Sequence, residues 1–584
     1  MNAIPSLLTD HLDIWTSAET EKKSGRGRTG GNGVNVYGIQ KLRELILELA
    51  VRGKLVPQDP NDEPAGELLK RIQAEKAKLV AEGKIKKDKP LPPISDEEKL
   101  FELPQEWEWT TLASISLINP RNNAEDNSST SFVSMAMIGA KFNSSHEQET
   151  RFWKEIKQGF THFAEGDIGV AKITPCFENS KACIFSGLLN GIGAGTTELH
   201  IVRVINKTLA PRYVLAYLKS PKFLLMGETK MTGTAGQKRL PKEFVESNPF
   251  PLPPVAEQHR IVAKVDELMA LCDQLETQHI NATEAHEKLV NHLLGILTQS
   301  QSAGDFNANW QRIAAHFHTL FTTEASIDAL KQTLLQLTVM GKLVPQDPND
   351  EPASELLKRI QAEKARLVAE GKIKKDRPMP PITNEEKPFE LPQGWEWVRL
   401  DELGVTQTGT TPPSKDRENF GCHIPFIGPG DIKNGEIDYS GEGLSEIGLS
   451  KGRLIGKDSV LMVCIGGSIG KHAVNDRDVT CNQQINTLTP YLPVSVKYVY
   501  WAMSTISFQG AVIGQSGGSA TPIINKQKWS SIPIPLPTFA EQHRIVAKID
   551  ELMTLCDQLK SAIAQASQLQ KKLADGVVEQ AIAS

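Results

Sequence analysis

The thirteen-residue string GKLVPQDPNDEPA occurs at Gly53–Ala65 and again, unchanged, at Gly341–Ala353. It belongs to a longer duplication: Arg52–Trp109 matches Met340–Trp397 at 49 of 58 positions, with an offset of 288. A second pair follows, VAEQHRIVAKVDELMALCDQLE at Val255 against FAEQHRIVAKIDELMTLCDQLK at Phe539, identical at 18 of 22 positions. The stretches between, 110–254 and 398–538, are similar in length but scarcely alignable. The chain therefore reads constant–variable–constant, twice, with a period far too long for a solenoid. Two halves related by a pseudo-twofold axis are expected, like a dimer joined in one chain.

Both constant blocks have helical letters. Glu67–Glu82 is rich in helix formers and stops at Gly83, and KPLPP breaks any continuation. In the second block, Ile261, Val265, Leu268, Cys272 and Leu275 alternate spacings of four and three, and the register continues through Leu289. Its twin carries Ile545, Ile549, Leu552, Cys556, Leu559 and Ile563. Sustained spacing of this kind predicts a coiled-coil seam. A helix of about 40 residues would be roughly 60 Å long.

The expected fold is mixed α/β (α+β): two globular domains separated by two long antiparallel coiled-coil helices. The divisions are a flexible tail at 1–38, a constant helical region at 39–109 and a variable domain at 110–254. A long helix at 255–299 and a linker at 300–326 follow. The second half repeats the scheme with 327–397, 398–538 and a last long helix at 539–584.

Composition excludes several classes. Seven cysteines without a CxxC argue against a disulfide framework and a zinc site. The N-terminus lacks a secretory pattern, and no apolar run approaches the roughly 20 residues of a membrane span. A cytoplasmic location is expected. Net charge is −5, yet between Arg203 and Lys242 nine Lys or Arg face Glu228 alone, a locally basic segment. Catalytic signatures are missing. GIGAG at Gly191 lacks the full dinucleotide spacing, and GGSIGK at Gly466 falls short of a phosphate loop. Neither HExxH nor an Asp/Asn-Pro-Pro-aromatic tetrapeptide occurs, and the letters GxSxG at Gly466–Gly470 fall in a glycine turn between two expected strands, not at a strand-to-helix turn; they recur at Gly514–Gly518. The chain reads as non-catalytic, with no metal or cofactor of its own.

The variable domains carry short strands and glycine-rich loops whose polar residues suit base reading: Arg and Lys for guanine, Asn and Gln for adenine, Ser and Thr for either. In the first domain the candidates are Lys172, Thr174, Lys181, Thr196, Thr197, Lys238 and Arg239. In the second they are Lys415, Arg417, Ser468, Lys471, Asn482, Gln483, Gln484 and Lys526.

The run P-L-P-x-x-A-E-Q-H-R-I-V-A-K-[VI]-D-E-L-M, at Pro251–Met269 and Pro535–Met553, resembles the boundary signature of specificity subunits of Type I restriction–modification enzymes. The duplicated GKLVPQDPNDEPA block is similar to the Type IB subset. The resemblance implies two target-recognition domains, each reading half of a bipartite asymmetric double-stranded DNA target. It implies two methyltransferase subunits carrying S-adenosylmethionine, and restriction subunits, two of them, using ATP and Mg²⁺. The alternative is a non-catalytic coiled-coil scaffold that binds proteins, favoured by the balanced 12 basic and 12 acidic residues of 398–538.

Overall fold

The computed structural model describes residues 11–17 and 36–583, apart from 88–89, 206–207, 235, 302, 374–378 and 519–520. It divides into two units, one of 1–283 with 565–584 and one of 284–564. The two long constant segments are single helices, α1 (Val255–Gln299) and α2 (Phe539–Ala583), of 45 residues each. At 1.5 Å per residue each is about 67 Å long. Among the described residues no helix is long and apolar enough to cross a membrane.

In the first unit the repeated string is an anchor between helices. Gly53 ends the Tyr37–Val51 helix at φ +68°, and an added Cβ would strike the ring of Pro104; Gly341, at φ +67°, meets Pro392 in the same way. Only glycine takes that turn without strain. Asp62 then accepts from the Arg260 guanidinium at 2.6 Å, and Asp350 accepts from Arg544 at 2.5 Å. The string recurs because each copy locks a short helix to the start of a long one.

The AEQHR letters acquire roles in the same way. Gln258 donates to the Pro253 carbonyl and accepts from the Ala210 amide, both near 3 Å, while Gln542 does the same with Pro537 and Ser495. Each long helix is thus bonded to its own variable domain at its first turn. A two-stranded ribbon closes that domain: Glu108–Thr111 pairs antiparallel with Pro249–Leu252, and Glu396–Arg399 with Pro533–Leu536.

The variable domains, unalignable by letters, share one sheet. In the first, β1 (Ser116–Ile118), β2 (Ile168–Ala171), β3 (Ala182–Ile184) and β4 (Leu199–Val204) lie in the order β1-β4-β2-β3. In the second, β5 (Gly404–Thr408), β6 (Val460–Val463), β7 (His472–Val474) and β8 (Ile485–Pro490) lie in the order β5-β8-β6-β7. Every pairing is antiparallel in both. The domains differ in what is added. The first has a further four-stranded sheet over 129–195, and the second has only two-residue ribbons over 420–481.

Three expectations are corrected. First, the seam does not hold along its length. Ile261, Val265, Leu268 and Cys272 are buried, in one cluster with Leu42, Leu45, Ile46 and Leu49 of the Tyr37–Val51 helix. Ile545, Ile549 and Cys556 are buried too, with Leu275, Leu552 and Ile563 half-buried. Leu289, however, is 50 % exposed and Leu559 36 %. In the second unit the buried stripe of α1 has moved to Val290, Leu294 and Leu297. A straight helix drifts about 20° per heptad against a 3.5 repeat, so about three heptads shift the inward face toward the next residue.

Second, the expected flexible tail contains a helix, Leu12–Ser17, whose Trp15 is fully buried among Val36, Ile39 and Leu42. Burial of the large indole holds this short element. Residues 1–10 and 18–35 of that tail lie outside the described residues. Third, the linker at 300–326 is largely helical, with helices at Ala303–Ala315 and Phe317–Leu320. Ile313, Leu320 and Phe321 are buried with Leu294 and Leu330, and Phe306, Trp310 and Phe317 pack half-buried against them, which draws the stretch onto the core.

Candidate nucleic-acid interface

At the end of the shared sheet three loops of the first domain are tied by backbone bonds. The Lys172 amide donates to the Glu198 carbonyl at 2.9 Å, the Leu240 amide to Lys172 at 2.7 Å and the Thr174 amide to Lys238 at 3.0 Å. The second domain repeats each tie. Cys464 donates to Gln484 at 2.8 Å, Ile524 to Cys464 at 3.0 Å and Gly466 to Pro522 at 2.9 Å. Lys172 thus corresponds to Cys464, Glu198 to Gln484, and Lys238 to Pro522. One backbone frame carries two unlike sets of side chains.

The frame gathers six of the seven first-domain candidates. Arg239 grips Glu198 with two bonds of 2.9 Å, which holds that carboxyl below its usual range. Thr196 accepts from the Glu198 amide at 3.2 Å, and Thr197 is exposed beside it. Thr174 is buried, and its hydroxyl oxygen accepts from the Lys238 amide at 3.1 Å, so it braces the frame. Lys238 is exposed and Lys172 half-buried. Lys181, at the loop's far end, gives its ammonium to the Met135 carbonyl at 2.9 Å.

In the second domain Ser468 and Lys471 sit on the loop between β6 and β7, with the Lys471 amide donating to the Ser468 carbonyl. The Asn482 amide group donates to the Gln484 side chain at 3.2 Å and its oxygen accepts from the Gln484 backbone, closing the Asn482 edge. Gln483 is exposed and accepts from the Thr411 hydroxyl. Lys526 donates to the Thr406 carbonyl at 3.3 Å. Lys415 and Arg417 lie on the segment beyond Thr411; Arg417 pairs with Glu442 at 3.0 Å.

The locally basic segment is largely neutralised in the fold, leaving Lys230 and Lys238 exposed. Arg203 is bonded to Asp167, Arg212 to Asp266, Arg239 to Glu198 and Lys242 to Glu246. Lys219 is buried. Sequence reading counted those cations as a field because their acidic partners are distant in the chain or outside the window. It also missed the groups behind the loops, Lys219, His472 and Gln509. Lys219, directly after the apolar run YVLAYL, was the one available signal.

The family described as "Type I restriction modification DNA specificity domain" matches the chain twice, over residues 104–285 and 392–566. These spans cover both variable domains and the starts of both long helices. The chain belongs to this family. It is 50% identical to the Type I restriction enzyme EcoAI specificity subunit of Escherichia coli, over 99% of this chain and 100% of that one. To the EcoEI specificity subunit of the same species it is 47% identical over the same shares. A solved chain from work on complex assembly and conformational transition of the type I R-M system superposes with a TM-score of 0.51. That likeness has 19% identity and covers 82% of this chain and 99% of the other. As a Type I specificity subunit, the chain is the non-catalytic DNA-specificity component of its system.

Proposed function

We propose that this specificity subunit reads a bipartite, asymmetric duplex DNA target, with 110–254 reading one half and 398–538 the other. The observation that carries the reading is the common three-bond frame with different side chains on it. A shared frame presents its loops to the same feature of a duplex, and the unlike side chains select different bases. The direct candidates are those left reachable: Lys172, Thr197, Lys238, Lys415, Lys471 and Gln483. In this reading two methyltransferase subunits, holding S-adenosylmethionine, dock on the repeated constant blocks, and two restriction subunits use ATP and Mg²⁺. Target bases are flipped into the partner active sites. The complex works in the cytoplasm on DNA.

Selection of duplexes from a randomised pool by the full chain with its modification subunits tests this. Two separated, unlike conserved blocks are expected, with affinity falling as salt rises. Enrichment of no sequence, with binding indifferent to salt, favours the protein-binding scaffold instead.

A further inference from the structure

The residue before the last loop residue of each domain is held from behind, by different chemistry in the two halves. In the first domain the loop after β2 ends at Ser180 and Lys181; in the second the loop after β6 ends at Gly470 and Lys471. Ser180 and Gly470 occupy the same place, two residues before β3 and β7. Both have positive φ, +54° and +90°. The carbonyls of both are met by side chains from the helices behind the sheet, and a buried carbonyl needs such a donor.

Lys219 supplies it in the first domain. It stands at the end of the Pro211–Leu218 helix, 4 % exposed, and its ammonium donates to Ser180 at 2.6 Å and to Ala140 at 2.8 Å. In the second domain the corresponding helix, Val496–Met503, ends at Ser504, which has no such reach. There Gln509, from the following helix, donates to the Gly470 carbonyl at 3.1 Å and to Met503 at 2.7 Å. His472 lies 2.9 Å from the same Gly470 carbonyl through Nδ1, with Nε2 at 2.9 Å from the Ser504 hydroxyl. A buried cation in one half does what an amide and an imidazole do in the other.

We infer that Lys219 and the Gln509–His472 pair are positioning residues for base reading, each fixing the end of one recognition loop and thereby the discrimination at one half-site. Neither touches DNA. The inference rests on the reading of the two variable domains as the DNA-sensing elements. Turning one carbonyl loose frees the peptide that carries Lys181 or Lys471 and lets the loop fit several base pairs about equally well. Duplication has kept the requirement while replacing the side chains that meet it.

The test uses the full chain with its modification subunits and a duplex selected by the wild type from a randomised pool, with every single-base variant in each half. K219M is expected to reduce discrimination about tenfold in one half and leave the other within about twofold. Q509L is expected to do the same to the opposite half, and K219R, which keeps a donor, to restore preference. A merely structural role lowers the active fraction and moves both halves together. Flattening of the same half by both variants, of both halves by either, or of neither half overturns the inference. Should K219M not fold, Q509L and K219R decide alone: Q509L confined to one half and K219R preserving both support it, and any other pattern overturns it. If the wild type itself selects no bipartite duplex, the reading of the domains fails instead.

Discussion

The Trp107 indole N–H donates to the Glu257 carboxylate at 2.9 Å, and 288 residues later Trp395 makes the same bond to Glu541 at 2.7 Å. Each bond pins the end of a constant block to the first turn of a long helix. Burial pushes both carboxyls above their usual range, against the indole and its neighbours. The twins differ in one atom. Glu257 Oε1 accepts from Gln58 at 2.7 Å, whereas Glu541 Oε1 has no partner among the described residues.

That difference sets an order of stabilities. W107F removes the donor and leaves a buried carboxylate oxygen unpaired, at about 1–3 kcal/mol. E541Q removes a buried charge with no bond to lose at Oε1, so it is expected to leave the denaturation midpoint unchanged or raise it. E257Q forces the Gln58 amide to turn and should be less stable than E541Q. Urea melts of the three variants check the order, and E541Q falling below E257Q contradicts it.

Lys219 makes stability depend on pH. Burial pulls its ammonium down from 10.5 to about 8, while the neighbouring Cys183 thiol is pushed up to about 12 and keeps its proton. Between pH 8 and 10.5 the unfolded chain binds a proton that the folded chain has released. Stability of the wild type relative to K219M therefore rises through that window, by on the order of 3 kcal/mol, and is flat below it. Denaturation of both proteins at pH 7.5, 8.5 and 9.5 measures the slope. A constant difference would mean that the ammonium is not desolvated.

The register of α1 is testable with two adjacent residues. Leu289 is half exposed and Val290 is 2 % exposed. L289K should shift the midpoint by less than about 0.5 kcal/mol. V290K buries a charge without a partner and should cost about 3 kcal/mol or more. An uninterrupted seam through Leu289 predicts the reverse, so one pair of melts separates the two.

Lys471 and Lys181 hold the same position in the two domains but differ in what their ammonium does. Lys471 is exposed, and Lys181 is bonded to Met135. Replacing Lys471 by Ala is expected to lower the dependence of log affinity on log salt by about one if it meets a phosphate. K181A should leave that slope unchanged. If K471A alters preference at neither half-site and leaves the slope intact, Lys471 has no contact with DNA.

The constant blocks were legible because they are written twice: identity across 288 residues marks what a shared fold demands. Local letters then sufficed for both long helices and for the stop of the Ala65–Ala81 helix at Gly83. The variable domains resisted because their order is set by pairings between distant short strands, such as β1 with β4, which no periodicity records. The seam failed between Leu275 and Leu289 because a straight helix drifts against the 3.5-residue repeat. Among the candidates, Lys238 and Arg239 were chosen by type and loop position, and the fold places both on the tied loops. Lys219 was miscounted as surface charge, since burial and acceptor carbonyls are properties of the folded chain.

The three ties between loops run from peptide to peptide, through Lys172, Thr174 and Leu240 in one half and Cys464, Gly466 and Ile524 in the other. Exposed side chains on these loops, such as Lys238 and Gln483, are therefore free to change without loosening the fold that displays them, whereas Thr174, Leu240, Cys464 and Ile524 are buried. A lineage can drift toward a new target one substitution at a time, each intermediate still foldable. Restraint falls instead on the few groups behind the loops, where a mutation blurs recognition rather than redirecting it.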